Sequence, residues 1–369
     1  MFGMGTGVTP SLLAPARTEW VRRRPGQAKI EKKLCFPKPA NRALRASGSG
    51  LLWAVSTPEK GPSKKTSVKR KLLIAGISVA ILFGAFQLFA RSFPGVILQG
   101  IYQYYAYQAG VQEQTVSVDG YEIPYFRGGT GPTLVLVHGF GDSKISFLQT
   151  AAHLTPYYDV IMPDVPGFGD TRQAPGRSYS IRTQANTLKS FLDKLNTGPV
   201  FLAGNSMGGH IIAALTLMEP NKVSKLILMN AAGLRVDDPV PYKPSQAPLR
   251  SVEEFDQYIQ DTFVQKPYIP ESFKLHFVSN SQKNFDWLNR IRSDIREGDD
   301  YILNDRAAMI ETQTMILWGD SDTVVSPAHA QVWSRLLPNA ILIILDETGH
   351  SPQYERPEDT AQVIRSFLL

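Results

Sequence analysis

A serine hydroxyl is too weak an acid to attack a carbonyl unaided near neutral pH, so it becomes a nucleophile only beside a positioned base. One serine of this chain is placed for that role. It lies in Gly204-Asn205-Ser206-Met207-Gly208, a G-x-S-x-G pattern, where the apolar run Val200–Ala203 gives way to the helical spacing of Gly208–Leu217. The glycines allow a sharp turn from strand to helix, which lifts the Ser206 Oγ clear of the strand end. The same turn leaves the Met207 N–H at a helix N-terminus, where developing negative charge is stabilised. The pattern predicts acyl transfer, with Ser206 as nucleophile and the Met207 N–H as one oxyanion donor.

The base should be a histidine. His350, in Gly349-His350, follows the last apolar run, Ile341–Leu345, where a loop can bring an imidazole back over the strand ends. The others are poorer candidates: His138 precedes the serine beside a glycine-rich turn, and His153, His210, His276 and His329 fall on predicted helices or in a central insertion. A carboxylate must orient the imidazole, and it is expected after the run that ends Leu317-Trp318-Gly319. Asp320 and Asp322 both stand there, and spacing alone leaves the choice open.

These residues need strand ends to sit on. Thr133–Val137, Val160–Met162, Val200–Ala203, Leu226–Met229, Met315–Leu317 and Ile341–Leu345 are nearly continuous in Val, Ile, Leu and Met, as strands buried on both faces are. Between them Ile181–Leu195, Gly208–Leu217, Ala328–Leu337 and Glu358–Leu368 carry helical spacing, so the expected class is α/β, a mostly parallel sheet with helices on both faces. Asp119-Gly120 suits a hairpin turn. The rhythm breaks between Leu228 and Met315, which predicts an inserted helical cap at about 235–310, after the sixth strand. Ser251 and Glu254 form a capping-box signature for a helix bearing Phe255, Tyr258, Ile259 and Phe263; Phe273, Phe277, Phe285 and Trp287 follow. Such rings either roof an apolar substrate site or pack the cap onto the body.

Charge is segregated. Of 39 Lys and Arg, 16 lie in residues 1–71 beside only 3 of the 33 Asp and Glu, so the remainder of the chain is net acidic. That argues against a nucleic-acid groove, which needs basic surface on the folded domain. Residues 1–71 are read as a disordered basic leader, 72–90 as a transmembrane signal anchor, 91–112 as a linker and 113–369 as the catalytic domain. Leu72–Ala90 carries no charge and as a helix would reach roughly 29 Å, the thickness of a bilayer core. Lys64, Lys65, Lys69, Arg70 and Lys71 precede it and Arg91 alone follows closely, which places the N-terminus in the cytoplasm and the catalytic domain on the opposite side. The absence of an A-x-A site after the run favours an anchor over a cleaved signal peptide. The single cysteine, Cys35, excludes an intramolecular disulfide.

Five motifs in order, His138-Gly139-Phe140-Gly141, Asp164-Val165-Pro166-Gly167-Phe168-Gly169-Asp170, Gly204-Asn205-Ser206-Met207-Gly208-Gly209, Trp318-Gly319-Asp320-Ser321-Asp322 and Gly349-His350, resemble the α/β-hydrolase superfamily. The likeness runs from about Gly120 to the C-terminus. It implies the α/β-hydrolase fold, an acid three residues beyond the Trp-Gly glycine, which selects Asp322 over Asp320, and a second oxyanion donor at the Phe140 N–H. The Asp164 motif is expected to be structural. The anchor, the elbow and Asn230-Ala231-Ala232-Gly233-Leu234 are most similar to membrane-bound monoacylglycerol lipases and related bacterial lipases, implying hydrolysis of lipid acyl esters. No metal or organic cofactor is required, because the base and the oxyanion donors supply the activation. A carbon–carbon bond hydrolase of ring-cleavage products is the competing enzyme, but that family usually has Trp after the catalytic histidine, where this chain has Ser351 and Pro352. An inactive membrane-tethered binding module is the competing non-enzyme, and it gives no reason for serine, carboxylate and histidine to recur at three strand ends. Epoxide hydrolases and haloalkane dehalogenases need aspartate at the elbow, which Ser206 excludes.

Overall fold

The computed structural model describes residues 64–171, 173–174, 176–237, 247–298 and 302–369, so most of the basic leader lies outside the described residues. In chain order the helices are α1 (Lys64–Ser92), α2 (Pro94–Gln108), α3 (Leu148–Ala151), α4 (Ile181–Leu195), α5 (Met207–Met218), α6 (Val252–Thr262), α7 (Glu271–Glu297), α8 (Pro327–Leu336), α9 (Pro352–Glu355) and α10 (Pro357–Leu368). The strands are β1 (Val111–Val118), β2 (Tyr121–Gly128), β3 (Thr133–Val137), β4 (Asp159–Pro163), β5 (Val200–Asn205), β6 (Val223–Met229), β7 (Thr314–Gly319) and β8 (Ala340–Leu345).

The eight strands form one sheet in the order β1-β2-β4-β3-β5-β6-β7-β8. β1 and β2 form an antiparallel hairpin that turns at Asp119-Gly120, both at positive φ, and β2 pairs antiparallel with β4. From β4 to β8 all pairings are parallel. Alternation along each central strand feeds two cores. Val135, Val137, Leu226, Leu228, Ile316 and Trp318 pack with α4, α5 and α8, while Leu134, Leu136, Ile227, Met229, Met315 and Leu317 pack with α2, α3 and α10. Burial on both faces is why these strands read as unbroken apolar runs rather than as alternating ones.

Two segments go beyond the sequence reading. The stretch read as a linker holds a 15-residue helix, α2. Its Pro94 supplies a preset φ at the start, Ala106 is buried, and Tyr102 and Tyr105 pack on the second core, so tertiary contact orders it. Helix α1 begins at Lys64, ahead of the apolar stretch. Val68–Ser92 is exposed throughout its apolar window and is long and apolar enough to cross a membrane.

Between β6 and β7 lies the cap, built on α6 and α7. Ser251 Oγ accepts from the Glu254 N–H at 3.3 Å, and the Glu254 carboxylate reaches back to the Arg250 N–H at 2.8 Å, one residue beyond a strict capping box. The buried Phe255 stacks on Phe277 at 5.5 Å. Trp287 donates to the Gly167 carbonyl at 2.8 Å and meets Tyr179 edge-on at 5.3 Å. For these rings the packing role holds: they fasten the cap to itself and to the body.

The Asp164 motif is structural. Asp164 is fully buried and accepts from the backbone N–H groups of Lys144 (2.7 Å) and Asp170 (2.8 Å) and from Lys144 Nζ (2.9 Å). Burial alone would push the Lys144 ammonium down, but Asp164 and Asp170 outweigh it and hold its pKa above the ordinary lysine value. Lys144→Met is therefore expected to cost about 3 kcal/mol, the low end for breaking a buried pair, because Asp164 keeps its backbone donors. Equilibrium urea unfolding measures this, and a loss within error of zero would show the pair to be energetically neutral.

Candidate active site

The elbow is built from β5, which ends at Asn205, and α5, which starts at Met207. Between them Ser206 sits at φ 55°, ψ −118°, a region costly for any residue with a Cβ. The surroundings hold it there. Its N–H donates to the Met229 carbonyl at 2.9 Å, and its own carbonyl accepts from His210 N (3.2 Å) and Ala232 N (3.1 Å). Side chains are barred at Gly204 and Gly208, where a Cβ would lie 2.5 Å from the Gly208 carbonyl carbon and 2.2 Å from the Val137 oxygen, respectively. This crowding is the physical content of the two motif glycines. Ser206 is half-buried and Met207 buried, and the Met207 N–H belongs to the first turn of α5, whose amides have no intrahelical acceptor.

At the ends of β7 and β8 the structure pairs His350 with Asp322, the contact being Nδ1 to Oδ2 at 2.8 Å. Both residues are buried. Asp322 Oδ2 also accepts from Asn230 Nδ2 at 2.7 Å, and Oδ1 accepts from the N–H groups of Val324 (2.8 Å) and Val325 (3.0 Å). Because a carboxylate only accepts, the imidazole proton facing it is on Nδ1, and the Nε2 lone pair is left for another partner. Asp320 is instead exposed and turned away from the imidazole, accepting from Ser321 Oγ (2.8 Å) in its own loop and from Thr348 N (3.2 Å) in the loop after β8. Burial alone would raise its carboxyl, but the Ser321 hydroxyl and the Glu347 and Thr348 N–H groups prevail and hold it below its ordinary value.

The glycine-rich turn after β3 lies against the elbow. A Cβ on Gly139 would stand 3.2 Å from the Ser206 Cβ. His138 is fully buried, its Nε2 accepting from Val165 N (2.9 Å) while Nδ1 contacts the Gly139 carbonyl (2.8 Å), so it tethers this turn to the Asp164 loop. Phe140 is half-buried, edge-on to Phe168 at 5.2 Å, with the Arg292 guanidinium of α7 5.1 Å from its ring centroid.

Three contacts were not read from the sequence. Asn230, at φ 46° just past β6, joins the Asp322 carboxylate to the Gly349 carbonyl, and a polar residue ending an apolar strand was the available signal. Asn205 Nδ2 donates to the His350 carbonyl at 3.1 Å, which ties the histidine loop to the residue before Ser206. The His350 N–H donates to the Thr262 carbonyl at 3.1 Å, which brings the end of α6 onto the same loop. No spacing rule announces the last, because it joins segments that are neighbours only in the folded chain.

The sequence profile of the Alpha/beta hydrolase family matches residues 134–363. Lipase 1 of Psychrobacter immobilis is 26% identical over 313 residues, covering 80% of this chain and 98% of that protein. Monoacylglycerol lipase ABHD6 of Mus musculus is 26% identical over 320 residues, covering 82% of this chain and 95% of that protein. Among solved structures, the crystal structure of a membrane phospholipase A, described as a bacterial virulence factor, superposes with a TM-score of 0.69 at 32% identity, covering 81% of this chain and 98% of that one.

Proposed function

This chain belongs to the alpha/beta hydrolase family, and we propose that within it the protein is a serine carboxylic-ester hydrolase acting on lipid acyl esters such as mono- or triacylglycerols. The observation that carries the reading is the 2.8 Å contact of His350 Nδ1 with the buried Asp322 carboxylate, beside a serine held at a strained strand-to-helix turn. The lipase relatives support the substrate class.

In the proposed cycle Ser206 Oγ attacks the ester carbonyl carbon while His350 Nε2 takes the hydroxyl proton. The tetrahedral oxyanion is held by the N–H groups of Phe140 and Met207. Its collapse breaks the bond to the alcohol, which leaves with the proton returned by His350. Water then attacks the acyl-enzyme, giving its proton to His350, and collapse releases the fatty acid and restores Ser206. Asp322 keeps the imidazole oriented and stabilises its positive charge. The groups named here supply the base, the nucleophile and the oxyanion donors.

Helix α1 is the proposed single-pass anchor, with the N-terminus cytoplasmic and the sheet on the opposite side of the membrane. A tethered site meets substrates that partition into lipid, which gives the anchor a purpose. The test is an acyl-length series of p-nitrophenyl esters beside a monoacylglycerol, with Ser206→Ala as control. Serine-dependent activity rising toward medium or long chains, or turnover of the glyceride, is expected. Weak cleavage of only the shortest esters would remove the lipid reading.

A further inference from the structure

The turn that follows His350 is short and flanked by Pro352 and Pro357. Helix α9 spans only Pro352–Glu355, yet its last residue binds three backbone amides, one six residues back in the histidine loop and two in the distant cap. Glu355 Oε1 accepts from the Gly349 N–H at 3.0 Å, next to His350. Its other oxygen, Oε2, accepts from the N–H groups of Val264 (2.8 Å) and Gln265 (3.2 Å), which lie just beyond the end of α6 in the cap. One carboxylate thus holds the histidine loop with one oxygen and the cap with the other. Carboxylates bonded to backbone N–H groups form charge-assisted hydrogen bonds, about twice as strong as neutral ones.

Independent contacts close the same seam. The His350 N–H donates to the Thr262 carbonyl at 3.1 Å, a bond that does not involve Glu355. A Cβ on Gly349 would stand 2.5 Å from that carbonyl oxygen and 3.3 Å from the Phe263 Cα, so cap and loop are in direct backbone contact. Phe263 meets Tyr354 edge-on at 6.4 Å, and the Tyr354 hydroxyl donates to Asp142 at 3.2 Å, two residues beyond Phe140. The Thr323 hydroxyl donates to the Asp261 carbonyl, which joins the acid loop to the same end of α6. The end of this one cap helix therefore touches the loops of Asp322 and His350, and through Tyr354 it is linked to the loop of Phe140.

We propose that Glu355 is a positioning residue that couples the seat of the cap to the placement of His350, acting through Gly349 on one side and Val264 and Gln265 on the other. The inference rests on the ester-hydrolase reading of the site. In this arrangement a cap displaced at α6 loosens the base, so hydrolysis is efficient only when the cap is seated.

The test uses the full chain in detergent, with wild type, Glu355→Ala and Glu355→Gln. Fluorophosphonate labelling of wild type at Ser206 checks the hydrolase reading, and amide exchange, which needs no turnover, checks the coupling separately. The decisive amide is that of His350, because its acceptor is Thr262 and not Glu355. In Glu355→Ala it should exchange roughly tenfold faster, as local opening of the seam requires. On a short soluble ester kcat per labelled site should fall roughly tenfold with KM little changed, since a misplacement of about 1 Å can cost ~10²-fold. Glu355→Gln retains one acceptor oxygen and should fall between. An unchanged His350 amide in Glu355→Ala, or an unchanged kcat per labelled site, would overturn the proposal.

Discussion

Ser206→Ala is expected to lower kcat for acyl-ester hydrolysis by about 10⁶-fold, the loss found when the nucleophile of a serine hydrolase is removed and only binding and the oxyanion donors remain. Fold and thermal midpoint should change little. What holds residue 206 at its strained φ is its backbone, the N–H on Met229 and the carbonyl on His210 and Ala232, and alanine keeps all of these. The variant should also lose fluorophosphonate labelling. Purified full-length protein assayed against a p-nitrophenyl ester measures the loss. Activity above that of trace contamination would mean that another group attacks the ester, and the mechanism would fall with it. A wild type that never labels would instead favour a binding module.

The second large effect belongs to the acid. Asp322→Asn is expected to lower kcat by about 10⁴-fold. The isosteric amide has one acceptor and one donor end. If its oxygen keeps the Val324 and Val325 N–H groups, its NH₂ faces Asn230 Nδ2 and His350 Nδ1, where acceptors are needed. The imidazole then presents its Nδ1 lone pair to that NH₂ and carries its proton on Nε2, and it can no longer take one from Ser206. Asp320→Asn is the control, because that carboxylate bonds to Ser321 in its own loop and to the Glu347 and Thr348 N–H groups rather than to the imidazole, and its loss should stay under about tenfold. The pair is compared by kcat on one soluble ester with protein of verified fold. If Asp320→Asn proves the more damaging, the acid has been assigned to the wrong residue.

The sequence alone determined the sheet, and it singled out Ser206 and His350 as the candidate nucleophile and base at its strand ends. Each is encoded locally. Gly204-Asn205-Ser206-Met207-Gly208 specifies a strand-to-helix turn because side chains at 204 and 208 would collide with neighbouring backbone. Runs such as Thr133–Val137 and Leu226–Met229 announce strands because both of their faces are buried. The cap showed itself by an interrupted rhythm, and α6 by a serine and a glutamate three residues apart.

The tertiary structure decided the rest. Spacing left Asp320 and Asp322 equal; the family resemblance favoured Asp322, but only the folded loops point it at an imidazole 28 residues away and turn Asp320 outward. Tyrosines that read as a linker became α2 because a core face was there to receive them. The aromatic rings of the cap could have roofed a substrate, and it was the body presenting Gly167 and Tyr179 that made Trp287 a fastener. Asn230 and Glu355 acquired their partners in the same way. Dihedral and steric preferences act over a few residues and leave a mark on local sequence, whereas a hydrogen bond between loops depends on where every intervening element has packed.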